Sequence, residues 1–235
     1  MSVTLCYPYY DNPGILQLHL DTWMSYAPEI RDQYRFILVD DASPNSPAEP
    51  VIRGAKFDGQ IELYRIERNV AWGWPAAKNI AMHHAPDGPA LVTDIDMVLE
   101  PKDAEALLRL KVKPDAHYIP RRRRAVDGLE YKRHPSTYVM QRSLFWAIGG
   151  FEERWLGLYG SDSMMRRRAG RMSRRIELDD VWVKLYGREV IADASTTEFG
   201  RKGSEYHKGE AGKEMQRASE GPVQVVMSQK YERVL

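Results

Sequence analysis

The feature that most constrains the fold of this chain is a series of short apolar, β-rich runs with helix-prone stretches between them. Between the first two runs, Leu16, Leu20, Trp23 and Met24 stand at helical spacing, and residues 74–85 between the last two are rich in alanine. This alternation predicts an α/β fold with a mostly parallel, Rossmann-like sheet flanked by helices on both faces. The four runs are residues 2–7 (SVTLCY), 34–40 (YRFILVD), 61–66 (IELYRI) and 90–96 (ALVTDID).

Length and composition indicate one folded domain. The 235 residues show no break in composition, and 34 basic and 33 acidic residues accompany 43% apolar residues, which excludes a disordered or fibrous chain. No segment approaches the roughly 20 apolar residues that a membrane crossing needs, and the first residues do not resemble a secretion signal. We therefore expect a soluble, cytoplasmic protein. The single cysteine, Cys6, lies in the first apolar run and is expected to pack in the core.

The ends of the four predicted strands carry the residues best suited to bind a ligand. In sheets of this kind, ligands bind beyond the carboxyl ends of the strands. All four ends carry polar, acidic or aromatic side chains, which we expect to point into one crevice. These ends are Tyr7–Tyr10, Asp40–Ser43, Arg68–Asn69 and Asp94–Asp96.

Asp94 and Asp96 form an acid pair at positions i and i+2 in the last of these runs. Two carboxylates at this spacing point the same way and can share one divalent cation with phosphate oxygens. Mg²⁺ or Mn²⁺ held in this way neutralises the charge that a nucleoside diphosphate gains as it leaves. Because Asp-x-Asp also occurs at ordinary strand ends and turns, the pair alone leaves a structural interpretation open.

Asp41 and the neighbouring tyrosines suggest a site for a nucleobase. Asp41 follows an apolar strand within VDDAS, and a carboxylate there can accept a hydrogen bond from N3–H of uracil. Tyr9 or Tyr10, at the adjacent strand end, can stack on the base. The alternative is that Asp41 only caps its turn, and the segment considered alone favours capping.

Residues 149–162 (GGFEERWLGLYGSD) form a loop rich in glycine and aromatic residues that leads into a predicted helix. Glycines let a backbone approach a ligand closely, and the aromatic rings offer faces to a sugar. Asp162, near the start of the helix, can act as a base or cap the helix, and the two roles are compatible.

These motifs, in this order, resemble those of glycosyltransferase family 2 and its GT-A relatives, from Val3 to about Arg168. The resemblance implies a GT-A fold in a single domain and an enzyme, a glycosyltransferase. Such an enzyme takes a sugar from a nucleotide-diphosphate sugar, here expected to be a UDP-sugar. It transfers the sugar to an acceptor hydroxyl with inversion, and it uses Mn²⁺ or Mg²⁺.

The resemblance also assigns residues to the donor and metal sites. Lys78, in RNVAWGWPAAKN (68–79), stands where the family usually has arginine and would lie near the diphosphate or ribose. Asp96 is the favoured direct metal ligand. The donor-binding set implied is Pro8, Tyr9, Tyr10, Asp41, Lys78 and Asp94, and the metal-binding set is Asp96, Asp94 and, by its position after the last motif, His207.

Asp162 takes the position of the catalytic base in this resemblance, while Ser161 replaces the usual glutamate, which affects acceptor binding more than catalysis. Two other classes of function stay open. A nucleotidyltransferase would share the acid pair, but the first strand lacks the glycine-rich phosphate loop expected there. A non-catalytic module that binds nucleotide sugars is the second alternative.

The chain is expected to divide into a catalytic domain, residues 1–194, and a polar loop or lid with a loosely held tail, residues 195–235. Within the domain, residues 1–100 form the nucleotide-binding half and residues 101–194 the acceptor-side half. Residues 121–175 carry 14 Lys or Arg and 5 acids, although the whole chain has a net charge of +1. This asymmetry fits a saccharide acceptor or a polyanion such as hydroxylated DNA. A solvated basic helix face and an arginine-rich loop would explain it equally well.

Overall fold

The four apolar runs all form strands in the computed structural model, which describes residues 2–157, 162–195 and 226–235. They lie side by side in the order β3, β2, β1, β4, and they are parallel, as the apolar pattern predicts. The fourth run ends its strand before the acid pair, which therefore lies in the turn that follows. The bounds are β1 (Val3–Tyr9), β2 (Tyr34–Asp40), β3 (Gln60–Ile66) and β4 (Pro89–Val92).

Six further strands complete the sheet in the described part of the chain: β5 (Met97–Val98), β6 (Ala116–Arg124), β7 (Glu130–Tyr131), β8 (Tyr138–Gln141), β9 (Arg174–Leu185) and β10 (Tyr231–Arg233). Beyond β4 the order is β8, β6, β9, β5, and β7 pairs with β6 as a hairpin. β8 is antiparallel to both β4 and β6, whereas β9 runs parallel to β6. The sheet is therefore mixed, with most of its paired residues in parallel register.

Helices cover both faces of the sheet, as predicted. On one face α1, α3 and α5 pack on the core that contains Leu5 and Tyr7, and on the other α4, α6 and α7 pack on the core that contains Cys6. The helices of the described residues are α1 (Pro13–Met24), α2 (Pro28–Arg31), α3 (Ala48–Ala55), α4 (Trp74–His84), α5 (Pro101–Leu108), α6 (Arg142–Ile148) and α7 (Asp162–Met172).

The alternation along β1 explains how one strand serves two cores. Successive side chains of a strand point to opposite faces, so Leu5 joins an aromatic group in which the rings of Trp23 and Phe36 lie 4.4 Å apart. Cys6 faces the other side and is fully buried, and burial raises the pKa of its thiol. The prediction that Cys6 packs in the core is confirmed.

Two segments differ from the sequence-based expectation. The arginine run at residues 121–124, expected to be a loop, is the second half of β6, because its backbone pairs with β7 on one side and with β9 on the other. The end of the chain, expected to be loosely held, adds β10 antiparallel to β3 at the edge of the sheet. No helix in the described part of the chain combines the length and the apolar character needed to cross a bilayer.

Candidate active site

A cleft of about 310 Å³ opens where β1, β2 and β4 end, as the order of the strands requires. Segments that are far apart in sequence meet there: the strand ends, residues 72–74 at the start of α4, residues 134–136 before β8, the first residue of α7, and residues 194–195. Of the residues predicted for the site, Pro8, Tyr9, Tyr10, Asp41, Asp94, Asp96 and Asp162 all line this cleft.

Asp41 and Asp40 have different roles although they are neighbours. Asp40 accepts hydrogen bonds from the amides of Ser43 at 2.8 Å and Ala48 at 3.0 Å, so it shapes the turn and begins α3. Asp41 lies in the cleft against Gly73, where an added Cβ would sit 2.2 Å from a carboxylate oxygen. Asp40 therefore makes capping contacts in this turn, and Asp41 lines the cleft.

The aromatic residues of the cleft differ in how far their side chains are exposed. Tyr9 is only 1% exposed, and its hydroxyl donates to the Ser46 carbonyl at 2.5 Å. Tyr10 is half-buried, and its hydroxyl oxygen accepts a hydrogen bond from Asn69 at 3.0 Å. Of the two tyrosines, Tyr10 is therefore the one whose side chain is more exposed. Trp72 and Trp74, which were not predicted as site residues, line the same cleft.

Both oxygens of Asp94 are engaged by neighbouring bases. One lies 2.5 Å from Nζ of Lys78 and the other 3.3 Å from Nε2 of His134. Burial alone would raise the pKa of Asp94, but the charge of Lys78 outweighs burial and holds that pKa below its usual range. Burial lowers the pKa of His134 to about 4, so the imidazole that lies beside Asp94 is neutral.

Lys78 is fully buried and does not line the cleft, which differs from the donor contact expected for it. Its ammonium contacts Asp94 and both the hydroxyl of Ser136, at 2.7 Å, and its carbonyl, at 3.2 Å. These three partners match the three N–H groups of an ammonium. The side chain therefore orients Asp94 from below instead of reaching towards the cleft.

Asn79, next in sequence, fixes the GGF motif. Its amide accepts from Phe151 N at 2.9 Å and donates to Phe151 O at 2.7 Å. Gly150 has a φ of +53°, and a Cβ there would lie 2.9 Å from the Asn79 oxygen. The glycine expected to approach a ligand thus approaches Asn79, so the Lys78–Asn79 pair connects the acid pair to the GGF loop.

Asp96 is the acid of the pair with unused binding capacity. Its Oδ1 is buried without a hydrogen-bond partner in the described part of the chain. Burial, and then the charge of Asp94, raise the pKa of Asp96 to about 7. A buried carboxylate without a partner is costly, and a hard cation would relieve that cost. The donor set therefore fits Mg²⁺ or Mn²⁺, although within residues 2–157, 162–195 and 226–235 no three His, Cys, Asp or Glu side chains form a complete protein-only metal site.

Asp162 is the first residue of α7 and lines the same cleft. Burial raises its pKa, and the negative charge of Asp94 raises it further. A carboxylate with a raised pKa is a stronger base at neutral pH than an ordinary aspartate. The adjoining residues 158–161, with Ser161, lie outside the described part of the chain.

Several residues of the cleft were not predicted. His134 and Ser136 precede β8 and carry no local motif, so only the tertiary fold brings them beside Asp94. Ser195 closes another side of the cleft. It follows Asp193, whose carboxylate accepts from the amides that begin α1, 2.5 Å from Gly14 N and 3.0 Å from Ile15 N. The predicted lid and the candidate ligand His207 lie outside the described residues.

The arginine run of β6 is mostly neutralised within the fold. Arg122 is 4% exposed, donates to the Lys132 carbonyl at 2.8 Å and stacks over Tyr131. The other three arginines each form an ion pair. The pairs are Arg121 with Glu130 at 2.7 Å, Arg123 with Glu100, and Arg124 with Asp127.

Comparison with solved structures shows the same fold in several proteins. S. aureus TarS, residues 1–349, is similar over 83% of this chain and 63% of its own, with a TM-score of 0.64 and 15% identity. The same fragment has also been solved with UDP-GlcNAc. The mannosyltransferase PcManGT from Pyrobaculum calidifontis, in complex with GDP-Man and Mn²⁺, is similar over 77% of this chain and 56% of its own, with a TM-score of 0.58 and 20% identity.

GalNAc-T7, solved with UDP, GalNAc and Mn²⁺, matches 80% of this chain and 44% of its own, with a TM-score of 0.61 and 12% identity. The chain thus spans less than two thirds of the length of each of these structures. Curated protein sequences give no match. The model of the family named Glycosyl transferase family 2 matches residues 8–176, which include every described residue of the cleft except those after β9. Since this match covers more than half of the sequence, the chain belongs to glycosyl transferase family 2.

Proposed function

We propose that this chain transfers a sugar from a nucleotide-diphosphate sugar to an acceptor hydroxyl, in a reaction that requires a divalent cation. The observation that carries the proposal is the acid cleft, where Asp94, Asp96 and Asp162 meet and Asp96 keeps a buried oxygen without a partner in the described residues. Three acids around one cleft suit a ligand that brings a cation and phosphates together. Membership of the family supports the same class of reaction.

The donor proposed is a UDP-sugar. Asp41 lies at the end of the cleft formed by β1 and β2, beside Trp72 and Tyr10. A carboxylate there can accept from the N3–H of uracil, and the aromatic faces can stack on the base. TarS and GalNAc-T7 have been solved with UDP-GlcNAc and UDP, whereas PcManGT holds GDP-Man, so GDP is the alternative base to test.

The acid pair is the proposed site for the cation. Lys78 and His134 occupy the two oxygens of Asp94, so Asp96 would supply the direct contact and Asp94 would support it. A divalent cation bound there would neutralise the charge that the departing diphosphate gains. Its other ligands would come from phosphate oxygens and water.

Asp162 would act as the base in a single in-line displacement. Its carboxylate takes the proton of the acceptor hydroxyl while the acceptor oxygen forms a bond to the anomeric carbon. The bond from that carbon to the phosphate oxygen breaks, and the electron pair leaves with the diphosphate. One displacement inverts the anomeric configuration and needs no nucleophile from the protein.

A saccharide is the proposed acceptor. The surplus of basic residues in residues 121–175 suggested a polyanionic acceptor. Three of the four arginines in the β6 run, however, are neutralised by ion pairs with Glu130, Glu100 and Asp127. Arg122, the fourth, is buried. The acceptor-side half therefore offers less free positive charge than its composition suggests.

The proposal is tested by measuring nucleoside diphosphate release from a panel of UDP-sugars and GDP-Man, in Mn²⁺ and in EDTA, with water or added saccharides as acceptor. Slow release in Mn²⁺ from a UDP-sugar is expected, with none in EDTA. The Asp162→Asn variant should release little, while Asp115→Asn, which changes an exposed acid paired with Arg174, should behave like the parent. If the folded parent binds UDP but releases nothing from any donor with any acceptor, the protein is a binding module and the proposal is wrong.

A further inference from the structure

One side chain from α1 reaches beneath the acid pair. Nε2 of His19 lies 2.7 Å from the carbonyl oxygen of Ile95, the residue between Asp94 and Asp96. The histidine is 0% exposed, so it cannot itself contact a ligand in the cleft. It lies directly behind the peptide that joins the two acids.

The backbone of the acid pair is fixed at three successive carbonyls. The middle one, that of Ile95, is bound by a side chain, so a substitution at His19 changes this hydrogen bond without altering the backbone. The other two are bound by backbone amides: Met97 N to Asp94 O at 3.1 Å and Tyr186 N, just after β9, to Asp96 O at 2.9 Å.

Aromatic rings hold the imidazole in place. The centroid of its ring lies 4.6 Å from that of Tyr7 and 5.1 Å from that of Trp23. Burial lowers the pKa of His19 to about 4, so the ring is neutral. Because Nε2 faces a carbonyl, the proton is on Nε2 and that nitrogen donates.

Packing alone does not explain a histidine here. Nδ1 of His19, the hydroxyl of Tyr7 and Nε1 of Trp23 are all buried without hydrogen-bond partners in the described residues. A buried polar ring is costly unless it is hydrogen-bonded, and an apolar ring would fill the same space without that cost. Among the described residues, the hydrogen bond that compensates for burying His19 is the one to the acid-pair turn.

We propose that His19 is a positioning residue for the divalent-cation site, because its Nε2–H fixes the Ile95 carbonyl and thereby the direction in which the carboxylates of Asp94 and Asp96 enter the cleft. The proposal rests on the function proposed above. Residues that orient metal ligands from behind change metal affinity by about 10- to 100-fold when they are replaced. His19 is expected to act in the same way.

The test compares three substitutions of His19. His19→Phe fills the ring space without a donor; His19→Gln carries an amide nitrogen about as far out as Nε2; His19→Asn carries one that is too short. The first readout is the Mn²⁺ concentration that gives half-maximal UDP binding in calorimetry. The second is hydrogen exchange of residues 93–98 in the protein without metal or nucleotide.

His19→Phe should raise the required Mn²⁺ concentration by about tenfold or more and speed exchange in residues 93–98. His19→Gln should recover most of both losses, and His19→Asn should not. The matched control is His117→Phe, which removes another buried histidine, whose Nδ1 lies 2.8 Å from the Ser173 hydroxyl and which does not line the cleft. It should leave both readouts unchanged.

Equal results for His19→Gln and His19→Asn would overturn the proposal, as would parent-like values for a folded His19→Phe. If His19→Phe does not fold, the comparison of His19→Gln with His19→Asn still tests the proposal. If the parent binds no UDP with Mn²⁺, the proposed function has failed, and hydrogen exchange alone then tests whether His19 fixes the turn.

Discussion

The acid cleft and the arginine-rich strand β6 balance their charges in opposite ways. On β6, Arg121, Arg123 and Arg124 each meet a carboxylate of the same chain. In the cleft, Lys78 and His134 contact Asp94, while Asp96 keeps an oxygen without a hydrogen-bond partner in the described residues and a pKa raised to about 7. A strand whose charges are compensated internally behaves as scaffold, whereas acids left uncompensated in a cleft are available to a cationic ligand.

The largest effect is expected at the uncompensated acid itself. Asp96→Ala should weaken Mn²⁺-dependent UDP binding by more than about a hundredfold, the upper end of the effect of residues that only support metal ligands. In EDTA at pH 8 the variant should be no less stable than the parent, because burial makes the Asp96 charge unfavourable above its pKa of about 7. Calorimetry and thermal unfolding measure the two effects, with Asp179→Ala, an exposed acid, as control. Normal metal-dependent binding by Asp96→Ala would remove the metal assignment.

The second prediction concerns Asp162 and separates donor binding from the transfer step. Asp162→Asn should keep UDP affinity but lower kcat by about 10²- to 10⁴-fold, since the amide cannot accept the acceptor proton. In the parent, kcat should fall as the pH decreases through a pKa above that of an ordinary aspartate. Steady-state kinetics across pH measure this. If Asp162→Asn turns over at the parent rate, the base lies elsewhere, and Glu152 and Glu153 become the candidates.

The third prediction tests whether the ion pair between Lys78 and Asp94 stabilises the fold. Lys78→Met removes the cation behind this acid and should lower the free energy of unfolding by about 3 kcal/mol, the low end for breaking a buried pair, because the Asp94 side chain is 34% exposed. Chemical denaturation measures it, and Lys111→Met, at an exposed lysine, is the control. Unchanged stability in Lys78→Met would show that Lys78 does not support the acid pair.

The smallest effect is expected on β6. Arg121→Ser combined with Arg124→Ser removes two exposed ion pairs, which contribute little in water, so melting temperature and turnover should stay near the parent values. Retention on immobilised DNA should also be unchanged at every salt concentration. A loss of DNA retention or of transfer in this double variant would restore the polyanionic acceptor as the better proposal.

Sequence patterns predicted the strands β1 to β4 well because these strands are buried and continuous. Runs such as YRFILVD are typical of a buried parallel strand. The residues after such strands meet at one edge of the sheet. The second half was harder, since β9 alternates exposed charges with half-buried residues and β10 has only three residues. Neither has the apolar run that identifies a strand from sequence alone.

The sequence indicated the acidic residues that line the cleft but not the histidines that lie behind them. Asp41, Asp94, Asp96 and Asp162 follow recognisable motifs, and the structure brings all four to one cleft. His134 and His19 carry no local signal, because their partners lie 40 and 76 positions away in the sequence. Lys78 was expected near the donor but is buried against Asp94, for a related reason. Its burial depends on how α4 packs beneath the acid pair.

The most direct test of the central claim is a calorimetric titration of UDP into the unmodified protein, once with Mn²⁺ and once with EDTA. If the uncompensated acids of the cleft form a cation and diphosphate site, UDP should bind one site per chain with Mn²⁺ and far more weakly, or not measurably, with EDTA. Equal affinity under the two conditions would contradict this account of the cleft.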